Sequence, residues 1–349
     1  MPDNARNASG AGNAGSAGNA GLEGVTPLPR WSEEQTAFTD NPRVADAHRA
    51  ALRSLERAVG HSADPTPDDE AREAVTAMLS RGRVLVLTGA GISTDSGIPD
   101  YRGPQGSLRR TRPMTVQEFR ADPAARKRYW ARAFIGHRLM NQARPNLGHR
   151  VLAEWQRRGL LSGIVTQNVD GLHEEAGATD VIALHGDMTQ VECLDCGATE
   201  PREVYEVRLE AANPGYRESV TVRDAYVNPD GDVSLSDADV ARFNTVGCAV
   251  CGSEKMKPSV VYFGENVPKR RRERVEELKA ESDALLVVGS SLAVMSGYRF
   301  VLDAIKRGQP AATITAGPGR ADDKVDVLWR TLATPALLEV EAGLLRSHS

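Results

Sequence analysis

Five short stretches in which nearly every residue is apolar, 83–87, 161–165, 181–184, 284–288 and 311–314, set the tightest limit on how this 349-residue chain folds. A strand without polar alternation has no face to offer water, so it belongs inside a parallel sheet covered on both sides. Apolar residues at helical spacing lie at 44–59 and 68–79 ahead of the first stretch, and at 148–158, 269–280 and 298–307 between stretches. Strands alternating with helices predict an α/β fold, a doubly wound parallel sheet of Rossmann-like type.

Two segments break the alternation. Residues 104–144 are basic and helical in pattern, with Phe119, Tyr129, Trp130 and Phe134 as apolar bulk, and 190–255 holds all four cysteines around the interior Asn228-Pro229-Asp230-Gly231-Asp232. Both are expected to form a smaller lobe, helical in 104–144 and zinc-binding in 190–255. The large lobe is then built from 70–103, 145–189 and 256–345. The first 24 residues are mostly Ala, Gly, Asn and Ser. Such composition cannot offset the entropy of ordering, so 1–30 reads as a disordered tail ahead of one domain, 31–349.

Charge and cysteine usage narrow the class. Lys and Arg number 43 against 47 Asp and Glu, a net charge of -4, which gives no basic field for a nucleic-acid backbone, and no nucleic-acid partner is expected. No apolar run nears the roughly 20 residues that span a bilayer, so a soluble protein without a membrane role is expected. Arg6 is the only basic residue before Arg30 and no apolar run follows it, which predicts neither a secretory signal nor a mitochondrial transit peptide. Four cysteines in two C-x-x-C pairs suit zinc in a reducing cytoplasm better than disulfides.

The chemistry-bearing residues cluster after the apolar stretches. Gly89-Ala90-Gly91-Ile92-Ser93 follows the first strand directly, where glycines let a backbone approach a pyrophosphate and leave amides free for its oxygens. It departs from G-x-G-x-x-G, since the next glycine is Gly97, and a purely structural strand-to-helix turn is the alternative. Asn168 and Asp170 follow the second strand and His185 the third. Imidazole, with an unperturbed pKa of about 6.5, suits a base at neutral pH. Cys193-x-x-Cys196 and Cys248-x-x-Cys251 place two thiolates each on one tetrahedral ion. With four sulfurs no position stays open for water, so one structural Zn2+ is expected. The acidic loop 197–247 is longer than that of a nucleic-acid-binding ribbon.

Taken together, these motifs resemble the sirtuin family of NAD-dependent protein deacylases over roughly 75–345. The family pattern G-A-G-x-S-x-x-x-G-I-P-D-F-R is met from Gly89 to Arg102 with Tyr101 in place of Phe. T-Q-N-x-D-x-L-H is met from Thr166 to His173, L-H-G from Leu184 to Gly186, F-G-E from Phe263 to Glu265, and G-S-S-L-x-V from Gly289 to Val294. The resemblance implies NAD as co-substrate. Gly89, Ala90, Gly91 and Ser93 would meet its phosphates and nicotinamide side. Ile98, Asn168 and Asp170 would form the nicotinamide pocket, with Tyr101 closing it, Arg102 near the phosphates and Asp100 also among the cofactor-binding residues. Gln167 would hold a ribose, and Gly289, Ser290 and Ser291 phosphate or adenosine.

In the family's reaction the acyl-lysine carbonyl oxygen displaces nicotinamide from the ribose. A ribose hydroxyl then loses a proton and attacks the resulting alkylamidate. Asn168 and Asp170 suit the first step, by stabilising positive charge, and His185 the second, as general base. His149 and His173 are read as hydrogen-bonded supports. Val261, Phe263, Gly264 and Glu265 on one side, with Leu292 and Val294 on the other, resemble the segments that clamp an acylated lysine peptide by strand addition.

Finer features resemble class II sirtuins, the lipoamidase- and ADP-ribosyltransferase-like branch. These are Ser-Gly-Tyr-Arg-Phe from Ser296 to Phe300, Cys-Leu-Asp-Cys from Cys193 to Cys196, and the insertion from Pro229 to Val233. That likeness implies acyl groups other than acetyl. Tyr129 and Arg132 resemble the Tyr-x-x-Arg pair with which a desuccinylating branch binds an acyl carboxylate; the alternative is a solvated basic helix, given Arg126, Lys127 and Arg128. Where the family has an Asn on the adenine-side ribose, the chain has Thr315, which makes fewer hydrogen bonds. The function expected is NAD-dependent protein-lysine deacylation. ADP-ribosyl transfer or NAD hydrolysis is the enzymatic alternative, and an NAD-sensing interaction module the non-enzymatic one.

Overall fold

The computed structural model describes residues 41–56, 63–103, 106, 108, 113–220, 231 and 233–346. The expected tail, 1–30, and most of 228–232 lie outside them. Nine strands occur among the described residues: β1 (Val84–Thr88), β2 (Leu161–Thr166), β3 (Ile182–Ala183), β4 (Gly186–Cys193), β5 (Thr199–Pro201), β6 (Met256–Val260), β7 (Ala284–Val288), β8 (Ala311–Ile314) and β9 (Val327–Trp329).

All five apolar stretches enter one six-stranded sheet of order β3-β2-β1-β7-β8-β9, parallel at every pairing. Every residue of β1, β7 and β8 is buried, because helices cover both faces. On one face the helices Asp68–Ser80, Leu147–Arg157 and Ala333–Arg346 pack against Val86, Leu286 and Ile314. On the other, Lys269–Glu281 and Met295–Lys306 pack against Leu85, Val287 and Ala311. The chain runs outward from β1 to β3, then returns to β1's other side at β7. This reversal is the switch point at which doubly wound sheets open a crevice beyond their strand ends.

The smaller lobe has a three-stranded antiparallel sheet, β5-β4-β6, and an aromatic core. Phe119, Trp130, Phe134, Tyr205 and Phe243 are all fully buried there, with Trp130 Nε1 donating to the Met256 carbonyl at 2.8 Å. The sheet sits across the expected lobe boundaries. β4 starts at Gly186, just past β3, and its Gly186 pairs with Val260 while Cys193 pairs with Met256. The chain therefore leaves the large lobe and re-enters it along one strand pair, and residues 186–189 and 256–260 belong to that pair. The helix Pro42–Glu56 packs on the helix Val116–Ala121, with His48 Nδ1 2.8 Å from Thr115 Oγ1. No helix among the described residues is long and apolar enough to cross a membrane.

Candidate active site and four-cysteine cluster

Close packing, more than backbone freedom, explains the two glycines after β1. A Cβ on Gly89 would lie 2.7 Å from that of Ser290, and one on Gly91 2.8 Å from the Gly289 Cα. The Gly91 amide donates to the Gly289 carbonyl at 2.8 Å. The β1 and β7 loops thus interlock at the switch point, bringing Gly89, Ala90 and Gly91 beside Gly289 and Ser290.

Beneath them lies a polar chain. Ser93, buried, donates through Oγ to Asp170 Oδ2 at 2.7 Å and accepts from Asn168 Nδ2 at 3.0 Å. Asn168 Nδ2 also donates to the Gly89 carbonyl at 3.2 Å. A hydroxyl has one proton to give and two lone pairs, so Ser93 has spent its donor on Asp170. Its second lone pair faces His149 Nε2 at 3.5 Å, which puts that ring's proton on Nε2. His173 Nε2 lies 2.9 Å from Thr88 Oγ1, whose proton goes to Thr166. Burial pushes both imidazoles well below their ordinary range, so they are neutral supports under the site. Ile98 packs with Met140 and Leu172, while Asp100 Oδ1 accepts from the Gly103 amide at 2.8 Å. Tyr101 packs with Leu52, Leu108 and Phe263.

Gln167, at the end of β2, joins two parts of the site. Its Nε2 donates to Ser290 Oγ at 2.7 Å, and its main-chain carbonyl lies 3.0 Å from His185 Nδ1. A carbonyl only accepts, so Nδ1 carries the proton and Nε2 presents the lone pair, the tautomer a base needs. Burial holds the imidazole down at about 4, the Gln167 carbonyl opposing this and the Arg271 guanidinium adding to it. The ring is therefore neutral at physiological pH. The His185 carbonyl accepts from the Val261 amide at 2.7 Å, so the segment after β6 runs directly beside His185.

That segment is firmly built. The Phe263 carbonyl accepts from the Val116 amide at 3.0 Å, Gly264 has φ of 80°, and Glu265 Oε2 accepts from the Tyr262 amide at 3.0 Å. Lys257, buried below it, donates to the Val260 carbonyl at 2.6 Å and pairs with Glu265 at 3.4 Å. The facing segment has Leu292 buried at φ of 51°, a left-handed conformation sparsely used by branched side chains. Val294 then opens the helix Met295–Lys306. Thr315, one strand away, gives its amide to Trp329 and points Oγ1 at the Gly317 carbonyl at 3.4 Å.

Tyr129 and Arg132 lie on the helix Pro123–Met140 of the smaller lobe. Tyr129 lies in the small lobe's core, its ring 5.6 Å from Phe119 and 5.7 Å from Tyr262. Arg132 Nε donates to the Val233 carbonyl at 2.6 Å. Sequence reasoning missed Lys257, Arg271 and Asn146. Asn146 caps the helix Leu147–Arg157 through Oδ1 and donates through Nδ2 to the Ile92 carbonyl at 2.7 Å. An Asn just before a helical pattern is an N-cap signal; the other two show only in three dimensions.

The four cysteines converge. All four Sγ atoms lie within 4.8 Å of one another, with Cys193 to Cys251 at 3.6 Å and Cys196 to Cys248 at 3.7 Å. A tetrahedral zinc with Zn–S of about 2.3 Å needs sulfurs about 3.8 Å apart. The donor set fits zinc, and all four thiols are free of disulfides.

Comparison with known proteins agrees with this architecture. The model of the Sir2 family matches residues 89–296. A protein of Corynebacterium efficiens named NAD-dependent protein deacetylase 1 is 57% identical over 270 residues, covering 77% of this chain and 96% of the relative. One of the same name from Streptomyces coelicolor is 52% identical over 260 residues, 74% of this chain and 85% of the relative. Among solved structures, a Sir2 enzyme aligns with a TM-score of 0.63 at 30% identity, over 80% of this chain and 100% of its own. A complex of Sir2 with p53 peptide and NAD+ aligns at 0.58 and 28%, over 78% and 98%.

Proposed function

The chain belongs to the Sir2 family, and on that footing we propose that it is an NAD-dependent protein deacetylase acting on acetylated lysine. The observation that bears most weight is Gln167, which fixes the tautomer of a neutral imidazole with its carbonyl while its side chain holds Ser290. Further support comes from the relatives named NAD-dependent protein deacetylases.

The residues present fit the co-substrate. Arg102 Nε and Nη2 are buried without a hydrogen-bond partner, an orphaned cationic group of the kind that takes a phosphate by charge-assisted bonds. NAD supplies an electrophilic ribose carbon and nicotinamide as the leaving group. Asn168 and Asp170, cross-linked through Ser93, offer an amide and a carboxylate for a planar carboxamide and for developing positive charge. His185 Nε2 takes the proton of a ribose hydroxyl. The segments around Phe263 and Leu292 receive the peptide, and the zinc is structural, in keeping with a reducing cytoplasm.

An acyl group larger than acetyl is the finer proposal, supported by the class II-like features. Arg132, whose Nε donates to the Val233 carbonyl, would meet an acyl carboxylate through its Nη groups. Mass spectrometry of an acyl-peptide panel incubated with NAD tests the whole proposal. Deacetylated peptide with O-acetyl-ADP-ribose is expected. ADP-ribose added to protein would favour the transferase alternative instead, and unchanged NAD the sensor.

Thr315 supports a second expectation. Its hydroxyl already faces Gly317, so Thr315→Asn should tighten NAD binding by about 2- to 10-fold, the worth of one net hydrogen bond. Calorimetric titration showing unchanged affinity would remove Thr315 from the ribose site.

A further inference from the structure

The helix Met295–Lys306 begins beside the base. Ser296, its second residue, places Oγ 2.8 Å from His185 Nε2. The approach depends on the next residue: a Cβ on Gly297 would lie 2.6 Å from Gln167 Oε1. A side chain there would push the helix end away, and Ser296 with it. Gln167 cannot yield easily, since its amide is bonded to Ser290 and to the Thr88 carbonyl.

The surroundings of His185 mostly oppose a positive ring. It is desolvated, and Arg271, from the helix Lys269–Glu281, donates to the adjacent Leu184 carbonyl at 3.3 Å. Burial of Arg271 works against its charge, while Asp187 and Glu192 on β4 favour the charged guanidinium. The amino end of the helix Met295–Lys306 adds a positive partial charge on the Ser296 side. Against these stand two oxygens. The Gln167 carbonyl accepts from Nδ1, and the Ser296 hydroxyl can donate to Nε2 when the ring is neutral or turn and accept from it when the ring is charged. The charged bond is the stronger of the two.

We propose that Ser296 is a positioning residue that sustains the basicity of His185, by fixing the plane of the ring and giving the imidazolium its second acceptor. Granted His185 as the base, Ser296 makes the ring easier to protonate than its burial allows. Removing the hydroxyl costs the charged ring more than the neutral one, so the affinity of His185 for a proton falls.

The test combines rates with direct titration. In Ser296→Ala the midpoint of His185, followed by 15N NMR in the free enzyme, should fall by about 0.5 to 1 pH unit, the equivalent of one net hydrogen bond. The acidic limb of kcat/KM should move the same way, with kcat lowered at neutral pH, and Ser296→Thr should restore both. A slower enzyme with an unmoved midpoint would make Ser296 a packing residue and overturn the proposal. So would a midpoint that rises. His185→Ala, measured alongside, separates the two ideas: if it stays active the base assignment fails, whereas the effect of Ser296 on the titration is read independently of rate.

Discussion

Replacement of His185 by alanine should lower deacetylation by about 10²- to 10⁴-fold, the range associated with loss of a general base, while the fold and NAD affinity stay near those of the parent. Three features of the site lead to this. Nδ1 is committed to the Gln167 carbonyl, so only Nε2 can take a proton. The two other imidazoles beneath the site are tied through Nε2 to Ser93 and Thr88 and their Nδ1 atoms are buried, so neither can stand in. The ring is held at the strand end by hydrogen bonds to Gln167 and Ser296, so truncation removes the base and those two bonds and leaves the sheet's ladder intact. Single-turnover assay and calorimetric NAD titration check the two halves. A variant within tenfold of the parent rate would remove His185 from the chemistry, and one that no longer binds NAD would make its role structural.

The sequence made the large sheet legible because its strands are buried on both faces, leaving continuous apolar runs where other strands alternate. β4 was harder to see. Its burial alternates, with Gly186, Met188, Val191 and Cys193 buried, but an irregularity between Gly186 and Val191 breaks the two-residue period. β9 has three residues and no flanking alternation. At the candidate site, Asn168, Asp170 and His185 stood out because they lie in short motifs that resemble those of the sirtuin family. Ser296 was not: a Ser-Gly pair at the start of a helical pattern reads as an ordinary helix start, and its reach to a histidine 111 positions earlier arises from tertiary packing. Tyr129 shows the converse, since an aromatic residue near a basic one on a helix reads equally as pocket or as core, and here it lies in an aromatic cluster.

Removing zinc should have the other large effect, and the topology determines its character. β4 begins immediately after His185 and ends at Cys193, while β6 begins at Met256, just past Cys251, and ends before Val261. The metal cluster and His185 therefore lie at opposite ends of one strand pair, separated by the length of β6, about 13 Å at about 3.3 Å per residue. At that distance zinc cannot polarise a reacting group; it holds together the far ends of the strands that place His185 against the peptide segment. Binding free energies of structural zinc are on the order of 10–16 kcal/mol, comparable with the whole stability of an ordinary domain, about 5–15 kcal/mol. Chelation, or Cys248→Ser, is thus expected to unfold the small lobe and abolish activity, with one zinc per chain in the intact enzyme by elemental analysis. Trp130, fully buried and bonded to Met256, should report the change as a red shift of fluorescence. Because the effect passes through folding, activity should be lost together with the spectral change, never ahead of it. Activity lost while Trp130 remains buried would place the metal in the chemistry, and a fully active, equally heat-stable protein free of zinc would deny it any role.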